Sequence, residues 1–309
     1  RLMSCQTLMK SRRGVIMNKR TLYNFFNKDK NSEHAAKLPA NRWKAYFDIL
    51  SHRFGTLVIL SLLTTVFFIP YISVNFIADL FINTQGIAVD EEALKIFRLF
   101  VLKTLLALIN IPLLTLGFVG LGGTFNVMRK LVFQEPHIHV TNDFWHGIRL
   151  NFRESLISGL FFSIYLVVFY ANIYFYPTVN DFSKILLIVF MIVIIICLII
   201  VTSAVLFMMS SASLYKFEAR TFFKNNLLLA LVLIPQNVVF IIIAAFPLIV
   251  IYLVPFVLVQ LIAVTISMLY GFSHLVLTFT LYSYSVFDKY INKNYEPDIV
   301  GVGLNNQED

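Results

Sequence analysis

The chain has 309 residues, 58% hydrophobic and only 14% charged, with a mean hydropathy of +0.77. Soluble domains carry about 25% charged residues, so this composition excludes a water-soluble globule and points to an all-α integral membrane protein. The formal charge is +8, and the two cysteines, Cys5 and Cys197, are too far apart for a disulfide framework and lack zinc-ligand spacing.

Residues 1–16 read as an upstream extension or added sequence, because Met17 opens "MNKRTLYNFFNKDK" in the manner of a natural start. Residues 1–55 hold twelve Lys/Arg against Asp29, Glu33 and Asp48. A cytoplasmic flank retained by its positive charge explains that imbalance better than a nucleic-acid arm. Six apolar runs follow, each long enough for about 30 Å of hydrocarbon. They are Leu57–Phe81 (with Pro70), Phe97–Phe125 (with Pro112), Ser155–Tyr176, Ile185–Tyr215, Leu227–Val254 and Phe256–Phe287. A five-span alternative merges or halves the last two around Pro247–Pro255. The expected organisation is a basic segment over 1–54, a six-span membrane domain over 55–288 and a short cytoplasmic tail over 289–309.

The loops set the orientation. Arg129, Lys130, Arg149 and Arg153 follow the second run, Lys216, Arg220 and Lys224 follow the fourth, and Lys289 and Lys293 follow the sixth. The intervening loops are poor in Lys and Arg, which places both termini inside. Lys95, Arg98 and Lys103 fit less well; they are expected to pair with Asp90–Glu92 or to snorkel outward.

Ionisable groups inside a bilayer are functional candidates by default, and this chain has few. No deep carboxylate is present, which argues against a proton- or sodium-coupled pump. His274, in "LYGFSHLVLTF", is the best polar-site candidate, with Asn110 and Gln260 beside it as intramembrane amides; the plainer reading of His274 is a hydrogen bond to a neighbouring helix. His137 and His139 form a His-x-His without a further ligand. Gly117, Gly120 and Gly123, after Pro112, read either as a close helix contact or as a broken helix lining a cavity.

In "DFWHGIRLNFRESL", Asp143 or Asn142 is expected to cap a helix. Phe144, Trp145, Ile148 and Phe152 fall along one face, with Arg149 and Arg153 next to it. This suits an interfacial helix entering the third span. Asp143, Trp145, Arg149, Asn151 and Arg153 are the expected headgroup or partner contacts. No catalytic motif, cofactor motif or metal constellation occurs. "FEARTFFKNNLLLALVLIP" lacks the glycine that an ABC-permease coupling loop needs, since Lys224 stands there.

Three stretches carry a family resemblance: "YFDILSHRFGTLVILSLLTTVFFIPYIS", "IPLLTLGFVGLGGTFNVMRKLVFQE" and "DFWHGIRLNFRESLI", with Asp143, Phe144, Gly147, Arg149, Asn151, Phe152 and Arg153 at the motif positions. They resemble the YesL-like family of bacterial membrane proteins of unknown function. The first span departs from the family pattern, with Ser61-Leu62-Leu63 where Asn-Leu-Leu is usual. The resemblance implies a multi-pass bacterial cell-membrane protein linked to carbohydrate uptake or utilisation.

Two functions are therefore expected. One is a non-enzymatic accessory or regulatory component, partnered by the lipid bilayer and by carbohydrate-transport components, with no nucleic acid and no cofactor. The other is a small-solute (sugar) transporter or channel in its own right, motivated by the Pro/Gly-rich second run and by Asn110, Gln236, Asn237, Gln260 and His274.

Overall fold

A computed structural model describes residues 38–85, 92–175, 184–216, 218–253 and 256–305, the range within which every statement below is made. The basic residues 1–37, the acidic loop at Asp90 and Glu91, and the loop at Asn180 lie outside it.

Asn41 opens the described helices by accepting the Lys44 N–H on its Oδ1 at 2.8 Å, an N-cap that starts α1 (Arg42–His52). Arg53 leaves helical geometry, and α2 (Phe54–Gln85) follows at once. Then come α3 (Glu92–Val132), α4 (Val140–Leu150), α5 (Phe152–Phe175), α6 (Lys184–Ala212), α7 (Ala219–Val232), α8 (Ile234–Leu253) and α9 (Val257–Ile266). A π-helical turn at Ser267–Gly271 joins α9 to α10 (Phe272–Phe287), and the chain closes through a second π turn into α11 (Lys293–Tyr295). No strand occurs among the described residues.

Five helices are long and apolar enough to cross a bilayer: Phe54–Ile82, Phe97–Val132, Phe152–Phe175, Ile185–Ala212 and Leu258–Tyr295. The expected fifth span, Leu227–Val254, is not one straight helix. It breaks at Leu233, and Ala219–Val232 meets Ile234–Pro247 at 94°. The count is six only if that bent pair is one span. Pro235 supplies the reason: it has no N–H to continue the ladder, and its ring disfavours helix in the residues before it. Asn237 repairs the junction, donating from Nδ2 to the Ala230 carbonyl at 3.0 Å while its Oδ1 accepts from Tyr282 Oη at 2.7 Å.

Pro112, by contrast, does not break its helix, since α3 runs unbroken from Glu92 to Val132. The broken-helix reading of the second run is therefore wrong, and the close-contact reading holds. A Cβ on Gly117 would come within 2.6 Å of the Phe68 ring, one on Gly120 within 2.7 Å of Phe67, and one on Gly123 within 2.8 Å of the Phe144 carbonyl oxygen. Glycine at these positions lets α2 and α4 approach α3. Polar rungs fix the antiparallel α2–α3 register: Thr64 to Thr124 at 2.5 Å, reciprocal Asn75–Asn110 amide bonds at 3.0 and 3.1 Å, and Asp79 to Lys103 at 2.5 Å. Lys103 thus pairs across the helical hairpin with the Asp79 carboxylate of α2, whereas the sequence reading offered Asp90–Glu92 or an outward snorkel.

These rungs place the start of α2 beside the end of α3, and the two ends of the bundle differ sharply. At that end the side chains of Phe125, Met128, Phe144, Phe207, Tyr284 and Phe287 are fully buried. Toward the other end apolar side chains are bare: Ile185 is 77% exposed and Leu261 65%. Water cannot solvate that much aliphatic surface, so lipid covers it. Arg42, Arg129, Lys130 and Asp288 all belong to the packed end. There the chain terminus folds back: Arg42 donates to Asp288 Oδ2 at 2.9 Å and to the Val302 carbonyl at 3.0 Å. Gly303, at φ +83°, would drive a Cβ to 2.1 Å from the Val132 carbonyl oxygen, so only glycine fits this return. Tyr215 hydrogen-bonds to Asn292 nearby, and burial raises its phenol above the usual range.

Candidate functional site

Two features at the packed end hold the chemistry. The first is a cleft of about 270 Å³ between α1, the first turns of α8 and α10. Its wall is a run of rings, Trp43 on Phe240 at 6.2 Å and Phe240 on Tyr282 at 4.0 Å between centroids. Arg42 and Lys289 bring positive charge to it, and Gln236, Thr278 and Ser285 bring neutral polar groups.

Tyr46 links the cleft to His274. The His274 Nε2 lies 2.9 Å from the Ile243 carbonyl oxygen, which can only accept. Nε2 therefore carries the hydrogen, and in the neutral ring Nδ1 accepts from Tyr46 Oη at 2.8 Å. Tyr46 Oη in turn accepts from Tyr270 Oη at 2.8 Å. The chain Tyr270 to Tyr46 to His274 to Ile243 thus has one direction, and protonating the ring would turn its Tyr46–His274 link around. It also ties α1, α8 and α10 together, which is the neighbouring-helix hydrogen bond expected of His274.

The expected grouping of Asn110, Gln260 and His274 does not form. Asn110 is spent on Asn75, His274 bonds to Tyr46 and Ile243, and Gln260 sits half-buried on α9; the three share no partner and no cleft. Hydropathy gives depth but not azimuth, so residues on different helix faces looked alike in sequence.

The second feature is α4. Its start lies earlier than expected, with His139 at the N-cap. Asp143 does not cap it from outside; it sits in the first turn and reaches back, accepting the His139 N–H on Oδ2 at 2.9 Å and Lys130 Nζ on Oδ1 at 2.7 Å. The aromatic face also divides. Phe144 and Ile148 are buried, whereas Trp145 is 48% and Phe152 49% exposed. The helix stops at Leu150 and restarts at Phe152, with buried Asn151 between them. Gly147 seats α4 on α3, because a Cβ there would meet Asn126 Cβ at 2.5 Å. Asn126 Nδ2 also donates to the Asp143 carbonyl at 3.0 Å. A fixed helix therefore presents Trp145 outward, with Arg149 and Arg153 also exposed beside it. Among the described residues, no three His, Cys, Asp or Glu converge on a metal position.

Residues 94–173 match a family model described as "Protein of unknown function, DUF624". The DUF624 segment takes in most of α3, all of α4 and nearly all of α5, and so includes the outward edge of α4 and the glycines beneath it. It is the YesL-like family to which the motifs point, and the match includes neither the helix break nor any residue of the cleft. No curated protein and no solved structure matches the chain.

The cleft was invisible to sequence reasoning because Arg42 and Lys289 lie at opposite ends of the chain. The one available signal was a pair of polar residues, Gln236 and Asn237, following Pro235 inside an apolar run.

Proposed function

We propose that this chain is a non-enzymatic accessory or regulatory protein of the bacterial plasma membrane, acting on a carbohydrate-uptake system through the exposed edge of α4. The observation that carries the reading is the rigid display of Trp145, Arg149 and Arg153, because exposed aromatic and arginine side chains on a fixed element are the usual anchors of a partner. The carbohydrate link rests on the YesL-like resemblance. Both termini are inside, in keeping with the concentration of Arg and Lys at the packed end.

Affinity capture from detergent extracts tests the reading. The parent should recover a sugar-binding or permease component, and the Arg149→Glu/Arg153→Glu variant should lose it. Recovery that is absent from the parent, or that survives in the variant, defeats the proposal.

A second reading, a solute transporter, draws on the 94° break followed by Gln236 and Asn237, since discontinuous helices line substrate sites in some carriers. Proteoliposomes containing the purified chain would then accumulate a sugar, and failure across a sugar panel removes this alternative.

A further inference from the structure

The cleft at the packed end lies outside the DUF624 segment and outside the α4 edge, and its chemistry is specific. Its lining residues include Arg42 and Lys289 but no carboxylate; Arg42 spends one Nη on Asp288 at 2.9 Å, which leaves Lys289 as the exposed cation. Two buried polar atoms that belong to lining residues, Arg42 Nε and Thr278 Oγ1, have no hydrogen-bond partner among the described residues. Thr278 is only 5% exposed. A buried donor left unpaired is costly, and two at one cleft beside an exposed lysine with no ion pair among the described residues call for an acceptor-rich anion. The remaining wall is apolar and aromatic. Trp43, 54% exposed, continues it onto the outer face of α1, where Phe47 is 62% exposed.

From this we infer that the cleft binds a phosphate-headed amphiphile. The phosphoryl oxygens accept from exposed Lys289 Nζ and, once the side chains of Arg42 and Thr278 turn toward the ligand, from Arg42 Nε and Thr278 Oγ1, and the first part of the tail lies along Trp43, Phe240 and Tyr282. A phosphoryl group suits the site because it offers several acceptor oxygens to a guanidinium, an ammonium and a hydroxyl together. A volume of about 270 Å³ holds a headgroup and a few methylenes, not a whole lipid. The rest of the tail therefore leaves past Trp43 into the bilayer. The source is a membrane lipid with net negative charge, since α1 carries its exposed aromatic side chains into that interface.

The chain's two tryptophans, Trp43 and Trp145, make the test direct. In a Trp145→Phe background Trp43 is the sole reporter. The purified full chain is titrated in mixed micelles with phosphatidylglycerol or phosphatidylcholine, each brominated in the acyl chain. Phosphatidylglycerol should quench Trp43 at a lower mole fraction than phosphatidylcholine. Thr278→Val removes a donor to the phosphoryl group that both lipids share and should move both curves, whereas Lys289→Gln also removes net positive charge and should move the phosphatidylglycerol curve further, by about fivefold. Melting curves of both variants should match the parent, as Thr278→Val keeps side-chain shape. Superimposed curves for the two lipids, or no shift in either variant, would overturn the inference. Relief of quenching by free glycerol phosphate would overturn the lipid source and make the ligand a soluble organic phosphate.

Discussion

Replacing Gly120 by alanine isolates the packing that holds α2 to α3. The new Cβ would stand 2.7 Å from both Cβ and Cγ of Phe67. Carbon atoms prefer about 3.5–4.0 Å, so roughly 1 Å of separation must be found. The Phe67 Cβ cannot swing aside because its backbone fixes it, and the helices themselves must part. Overpacking of this kind costs about 1–3 kcal/mol. Alanine returns up to about 1 kcal/mol of helix propensity, leaving a net loss of roughly 0–2 kcal/mol. Gly55 is the control: a Cβ there meets nothing within 4 Å, so alanine should be neutral or slightly stabilising. Thermal unfolding in one detergent, followed by tryptophan fluorescence, should rank Gly55→Ala above Gly120→Ala, and Gly120→Leu lowest. Identical melting temperatures for the two alanine variants would refute the close-contact reading of the glycine series.

Other sites give predictions of different size. Asn237→Leu strands the Ala230 carbonyl and the Tyr282 hydroxyl at the helix break; a loss of about 1–3 kcal/mol per buried unpaired group is expected in the same melts. Asp288→Ala removes the partner of half-buried Arg42 and loosens the fold-back of the C-terminal turns, so limited proteolysis should cut near residue 300 sooner than in the parent. Lys103→Met breaks an ion pair whose aspartate is 55% exposed, and its effect should stay below about 1 kcal/mol. Single-cysteine labelling should modify Gln85→Cys and Asn180→Cys from outside but not Gln134→Cys, Asn225→Cys or Asn292→Cys; outside access at 292 would break the inside-termini assignment.

Much of the fold was legible because a bilayer leaves few options. Long apolar runs must be helices, and their ends fell within a few residues of expectation for four of the six. The exceptions were the second run, whose helix continues past Phe125 to Val132, and the fifth, where hydropathy carried the reading across Pro235 while the backbone could not follow. At Pro112 the sequence left a close contact and a broken helix open; the helix continues through it, and its glycines lie against Phe67, Phe68 and Phe144. The basic-aromatic motif around Asp143 located α4. Its exposed side could not be read, since burial of Phe144 beside exposed Trp145 depends on Asn126 and Gly147 meeting across two helices. The cleft depends on contacts between Arg42 and Asp288, 246 residues apart, which no local pattern encodes.

The claim that α4 is a docking edge is tested most directly by a photo-crosslinking residue placed at position 145 in the intact chain in native membranes, with position 189 on the lipid-exposed part of α6 as the comparison. The account predicts one discrete protein adduct from 145, identified by mass spectrometry as a transport component, and lipid adducts alone from 189. Lipid adducts alone from both positions would mean that the arginine edge contacts only headgroups, and the accessory reading would fall.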